Sequence, residues 1–157
     1  MNKGDISAQV AIEFRSIEET IRAIDDILKR ASSGKVHPSD AAAGATYLSQ
    51  CYNGIENILK RMVCFFEETL PDGPSWHADL LLMFYDKREV DTLVPRLLDE
   101  QLFLKLTSLR KFRHVVFHGY AIKFEWDSVK ENLHAIAGTV QSFKKRLDKV
   151  IPPTEAL

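Results

Sequence analysis

The chain has 157 residues, of which 45% are apolar and 27% charged, with a net charge of −1 at pH 7. Such a chain suits one compact globular domain over residues 1–157, and its near-neutral balance excludes a polycation built to coat nucleic acid. The opening MNKGDISAQV lacks the apolar run of a signal peptide, and no stretch is long and apolar enough to span a membrane, so the expected compartment is the cytoplasm.

Val10, Phe14, Ile17, Ile21, Ile24 and Leu28 recur at spacings of 4, 3, 4, 3 and 4, one face of a long first helix that stops near Gly34. HPSD opens a second helix, with Ser39 or Asp40 available as its cap. The buried stripe of that helix is Leu48, Tyr52, Ile55, Leu59, Met62 and Phe66, and PDGP ends it at about Leu70. Its two cysteines, Cys51 and Cys64, sit among apolar neighbours without CxxC spacing and read as small buried thiols. Ser75 is a suitable cap for a short third helix, WHADLLLMFYD.

A fourth helix is expected from Pro95, a residue tolerated in a first turn, to about His118. After Gly119 and YAIKFEW, a fifth runs from about Asp127 to Val150 on Val129, Leu133, Ile136, Val140, Phe143 and Leu147. Residues from about 151 to 157 read as a frayed tail. Alternating strand patterns and internal repeats are missing, so the fold expected is all-α, an antiparallel bundle of about five helices.

Function concentrates on the fourth helix. Between Gln101 and Phe124 there are five lysines or arginines and no acidic residue. Cations gathered near a helix C-terminus explain this, and so does an anion-binding surface. On a helical wheel Leu102, Leu106, Leu109, Phe112 and Val116 face the core, and Arg113 falls about 40° from Leu109, within that stripe. A charge there must be paired or kept wet. Phe103, Leu104 and Val115 lie off the stripe, so the second apolar side is expected to meet another copy of the chain, a homodimer. Arg113 and His118 stand roughly 140° apart, too far for a tight pair but placed to flank a cleft, while His114 and His118 share a face at i and i+4.

Three readings compete for these groups. They can be capping and interface residues, since histidine is welcome at a helix C-terminus and arginine snorkels. HVVFH can offer two zinc ligands, but the glutamate of HExxH is absent and no further ligand is evident. The third is acid–base chemistry on a phosphodiester. An imidazole moves the proton of a ribose hydroxyl or leaving oxygen, and a guanidinium holds the phosphate, which requires neither metal nor cofactor.

Arg113-His-Val-Val-Phe-His118-Gly-Tyr120 resembles the R-x4-H-x-Y signature of HepT-type toxins in the HEPN superfamily, small all-helical ribonucleases. The likeness extends over most of the chain, with the signature at the end of the penultimate helix. It implies a homodimeric, HEPN-like, metal-independent endoribonuclease, the toxin of a toxin–antitoxin pair, with RNA as substrate. Arg113 would bind and neutralise the scissile phosphate, and His118 would act as general base or acid. His114 stands where the family commonly has a polar residue, often asparagine, and would support the phosphate together with Arg110 and Lys111. The resemblance also implies a partner, a minimal nucleotidyltransferase antitoxin that attaches AMP units to Tyr120. Each unit adds charge and bulk beside the cleft and excludes RNA. Gly119 is expected to break the helix and let Tyr120 swing to the cleft. The alternative is a catalytically silent HEPN adaptor that docks a nucleotidyltransferase, which the His114 departure permits. His77, Asp79, Tyr47, Tyr52 and the KKRLDK run have plainer readings, as a helix start, core or groove edge, and a solvated face.

Overall fold

A computed structural model describes residues 3–120 and 123–151. Within them are five helices, α1 (Lys3–Ser32), α2 (Asp40–Phe65), α3 (Trp76–Met83), α4 (Glu100–Phe117) and α5 (Trp126–Asp148), with no strand beyond one isolated bridge between Tyr85 and Leu98. None of these helices is long and apolar enough to cross a membrane.

α2 is the central element and packs against all four others. The α1–α2 hairpin is antiparallel, as its cross-links show. Arg30 grips Asp40 near the turn, Ile17 meets Gly54 midway, and Arg61 reaches Gln9 and Glu13 at the far end. Close approach at the midpoint depends on Gly54 having no side chain, since a Cβ there would lie 2.5 Å from Ile17 Cγ1. The 4-3 stripe of α1 places Val10, Phe14, Ile17 and Ile24 in the core against Leu48, Tyr52, Ile55 and Leu59 of α2. Val129, Leu133, Ile136, Val140, Phe143 and Leu147 of α5 close the same core, where Phe143 meets Phe14 at 6.1 Å between ring centroids.

The helix ends differ from several expectations. α2 stops at Phe65 rather than near Leu70, because Glu67 takes a left-handed turn (φ 57°). The Glu68 amide then bonds Val63 O and the Glu67 amide Cys64 O, the 6→1 and 5→2 pair that closes a helix, with no glycine to announce it. Gly34 ends α1 by the same device at φ 76°. Neither Ser39 nor Ser75 makes a side-chain capping bond. Asp40 instead accepts the His37 amide at 2.8 Å and the two Arg30 nitrogens at 2.9 and 3.1 Å, tying the α1–α2 connection together. Burial works to raise the Asp40 carboxyl, but the Arg30 and His37 bonds outweigh it and hold the group below its ordinary value.

α4 begins at Glu100, five residues after Pro95. Residues 84–98 form an ordered loop in which the Arg88 guanidinium donates to the carbonyls of Met83, Thr92 and Val94, and Leu97 and Leu98 bond Phe84 O. Asp99 then caps the helix by accepting the Leu102 amide at 2.8 Å. Arg146, from the run read as a solvated face, pairs with Asp86 at 2.7 Å and Asp99 at 3.5 Å, fastening α5 to this loop. Phe103, assigned to a dimer face, is stacked on Tyr85 of the same chain at 4.3 Å, whereas Leu104 is 58% exposed. Cys51 is buried and its thiol pushed up to about 12, but Cys64 is exposed, on the outward face of the last turn of α2. Ile151, placed in the frayed tail, is buried and bonded to Leu147 O, and the rest of that tail lies outside the described residues.

Candidate functional site

The last two turns of α4, the α3 N-terminus and residues 73–75 enclose a cleft of about 860 Å³. Arg110, Lys111, Arg113, His114, Phe117 and His118 line one side, and Trp76 and His77 the other. No carboxylate is among the lining residues, so the cavity presents cations, imidazoles and aromatic rings, a composition suited to a polyanion. The five polar residues singled out between 110 and 118 all converge here.

Arg113 solves its burial problem through α2. Its Nε–H donates to Asn53 Oδ1 at 2.7 Å, and Glu56 Oε1 lies 3.9 Å from the same nitrogen. Glu56 is 2% exposed and neutralises the guanidinium from behind, outside the cleft. Its other oxygen meets His77 Nδ1 at 2.7 Å, and His77 Nε2 lies 3.3 Å from Arg113 Nη1. The side chains of α2, α3 and α4 thus lock one guanidinium while leaving its outer edge toward the cavity. On that side the guanidinium carbon sits 5.3 Å from the Phe117 ring centroid.

Tyr52 lies behind the same cluster. Burial pushes its phenol far above the ordinary value and Glu56 pushes it the same way, while Arg110 and Arg113 oppose them. The hydroxyl stays neutral, short of a well-formed hydrogen bond. Arg110 Nε is also buried without a partner, a donor left over beside the cleft.

His118 caps α4 and is exposed, its ring edge-on to His114 at 4.4 Å and to Phe117 at 5.9 Å. Arg113 and His118 both line the cavity. Gly119 follows at φ 81°. Its amide bonds Val116 O at 3.0 Å and that of Tyr120 bonds Val115 O at 3.1 Å, so the helix ends there as expected. The turn carries Tyr120 outside rather than into the cleft. Its side chain is not among the lining residues, is 51% exposed, and lies under the Lys123 ammonium at 4.6 Å, while Phe124 stacks on Phe112 instead. Residues 121 and 122, part of the connecting segment, lie outside the described residues.

The profile of the family described as HepT-like protein matches residues 43–152, from the first turn of α2 through the end of α5. That span is well over half of the 157 residues. The chain belongs to the HepT-like protein family. No curated protein matches it significantly, and no solved structure does. In this HepT-like chain the signature residues Arg113 and His118 and the all-helical frame both fall inside the matched span.

His77 stands in the first turn of α3, as its plainer reading expects, and its ring in addition bridges Glu56 and Arg113 beside the cleft. Asn53 and Glu56, which hold Arg113 from α2, lie outside the contiguous motif of α4. Their signal was present in the sequence as two polar residues beside the α2 stripe at i and i+3, but their partners come from helices far along the chain. Among the described residues no group of three histidine, cysteine or acidic side chains stands ready to hold a metal ion.

Proposed function

We propose that this HepT-like protein is the toxin of a toxin–antitoxin pair, an endoribonuclease that cleaves RNA by acid–base chemistry without a metal. The observation that carries the reading is the convergence of Arg113 and His118 on one cleft lined by further cations and free of carboxylates. Arg113 takes a non-bridging oxygen of the scissile phosphate, and its fixed charge offsets the negative charge that grows on the phosphoryl oxygens. His118 removes the proton from the adjacent ribose 2′-hydroxyl, whose oxygen attacks phosphorus. The P–O bond to the 5′-oxygen breaks, and a proton from an imidazolium completes the leaving hydroxyl. His114, 4.4 Å from His118 between ring centroids, is placed to support the phosphate or return that proton. Arg110 and Lys111, which line the same cleft, hold the flanking phosphates.

Tyr120 is the proposed site of AMP attachment by a partner nucleotidyltransferase. Its exposure supports that role, and its place outside the cleft means that the added nucleotide blocks RNA from the rim. Self-association belongs to the same reading, with Phe117 (75% exposed) and Leu104 as the apolar groups available to a second copy.

The deciding experiment is cleavage of RNA by purified protein in EDTA. Wild type is expected to cut, and Arg113→Ala and His118→Ala each to lose at least about 100-fold in rate. Full activity in either variant removes the mechanism. A wild-type protein that cuts no RNA yet binds a nucleotidyltransferase identifies the silent adaptor instead.

A further inference from the structure

The Glu56–His77 pair lies outside the R-x4-H-x-Y signature, yet it reaches the reacting end of Arg113. A carboxylate only accepts hydrogen bonds and a guanidinium only donates them. His77 sits between one of each, with Nδ1 2.7 Å from Glu56 Oε2 and Nε2 3.3 Å from Arg113 Nη1. Only one protonation state satisfies both contacts, the neutral ring with hydrogen on Nδ1 and a lone pair on Nε2. A second proton on Nε2 would face the Nη1 hydrogens of a permanent cation.

We propose that Glu56 and His77 form a positioning dyad that fixes the rotation of the Arg113 guanidinium, and that His77 is held as its Nδ1–H tautomer to serve as an acceptor rather than as a proton carrier. The inference rests on the ribonuclease reading for its consequence but not for its geometry. Arginine carries five N–H donors in one plane. Asn53 takes the Nε–H and His77 takes one Nη1–H. Those two contacts hold the plane at separate nitrogens, Nε and Nη1, and stop it from turning about the side-chain axis, so three donors on Nη1 and Nη2 are left as a fork for phosphate oxygens.

Three features keep the dyad in place. Glu56 is held in the body of α2 and its side chain is 3% exposed, so no water competes for its oxygens. Trp76 stacks on the His77 ring at 3.5 Å between centroids and 30° between planes. Lys60, one turn along α2 from Glu56, holds its ammonium 4.5 Å from the Trp76 centroid and clamps the indole. His77 is therefore a positioning residue that acts through Arg113, distinct from His118, which is proposed to exchange protons with RNA.

Nitrogen-detected NMR of the full-length protein tests the dyad without any reference to cleavage. Wild type is expected to show His77 protonated on Nδ1 alone and an Arg113 Nε–H signal that exchanges slowly with water. In His77→Ala that signal should broaden into fast exchange, and in His77→Gln it should persist, because a carboxamide supplies one donor to Glu56 and one acceptor to Arg113. Cleavage should follow the same order, with kcat/KM about tenfold or more down in His77→Ala and largely restored in His77→Gln. A wild-type His77 that is doubly protonated or carries its hydrogen on Nε2 overturns the proposal, and the wild-type measurement stands even if a variant fails to fold. A His77→Gln variant as inactive as His77→Ala, with the Arg113 signal intact, overturns it in favour of proton transfer by His77. Absence of RNA cleavage in wild type defeats the ribonuclease reading alone, and the tautomer still decides the dyad.

Discussion

Arg113 and Asn53 are 60 residues apart in sequence and 2.7 Å apart in space, and the bond between them uses the guanidinium Nε–H, a donor that lysine lacks. Arg113→Lys keeps the charge in the cleft but loses the Nε–H held by Asn53 and the planar fork presented to a phosphate. RNA cleavage by Arg113→Lys is expected to fall on the order of 100-fold, close to Arg113→Ala. Single-turnover rates at saturating RNA check it, and near-wild-type turnover would mean that charge alone suffices.

Salt dependence of binding reads the cations of the cleft. With His118→Ala as a non-cleaving background, log Kd against log salt for a single-stranded RNA should lose about 0.7 in slope for each phosphate contact removed. Arg110→Ala and Lys111→Ala should each show that loss. An unchanged slope in both places the RNA elsewhere.

Tyr120→Phe is expected to cleave RNA as wild type does, because the tyrosine stands outside the cleft. Co-expression with a minimal nucleotidyltransferase should add AMP mass to wild type and none to Tyr120→Phe. Equal modification of both proteins, by intact mass, moves the attachment site away from this residue.

The Arg30–Asp40 pair makes a prediction about acid. The folded state holds the Asp40 carboxyl below its ordinary value of 3.8, so the stability it contributes is whole above that pH and disappears as pH falls through the lower folded value. Asp40→Asn should melt several degrees lower at pH 7, and its deficit should shrink as pH drops below about 4, as the wild-type carboxyl too becomes protonated. Melting curves from pH 7 to pH 2 test this, and a deficit that stays constant with pH would show that titration of Asp40 does not matter.

Gly54→Ala places a methyl group against Ile17, at 2.5 and 2.8 Å from its outer carbons. Overpacking of this kind is worth about 1–3 kcal/mol, partly offset by roughly 1 kcal/mol of helix propensity gained over glycine. Urea unfolding should show a net loss. Combining the change with Ile17→Ala should recover part of it, giving a favourable coupling in the double-mutant cycle.

Much of the fold was legible because helix periodicity is a local signal. The stripes of α1, α2 and α5 name the same residues that fill the core, and Gly34 and Gly119 end their helices where left-handed geometry asks for glycine. Errors arose where distant contacts override local preference. Pro95 suits a first turn, yet Arg88 and the Phe84 carbonyl hold the chain extended until Asp99 supplies the cap. Glu67 accepts a left-handed turn with no glycine in sight. The cleft was half legible. Its α4 wall reads from one contiguous motif, whereas Asn53, Glu56 and His77 matter only because three helices meet, and no spacing along the chain encodes that meeting.

If the proposed function holds, the end of α4 separates chemistry from control. Tyr120 helps to close the helix through its backbone amide, bonded to Val115 O, and every residue except proline supplies that donor. Substitution at position 120 by any other residue therefore keeps the bond that closes the helix presenting Arg113 and His118. On the proposed reading, a mutational path can change how the protein is restrained without altering what it cuts.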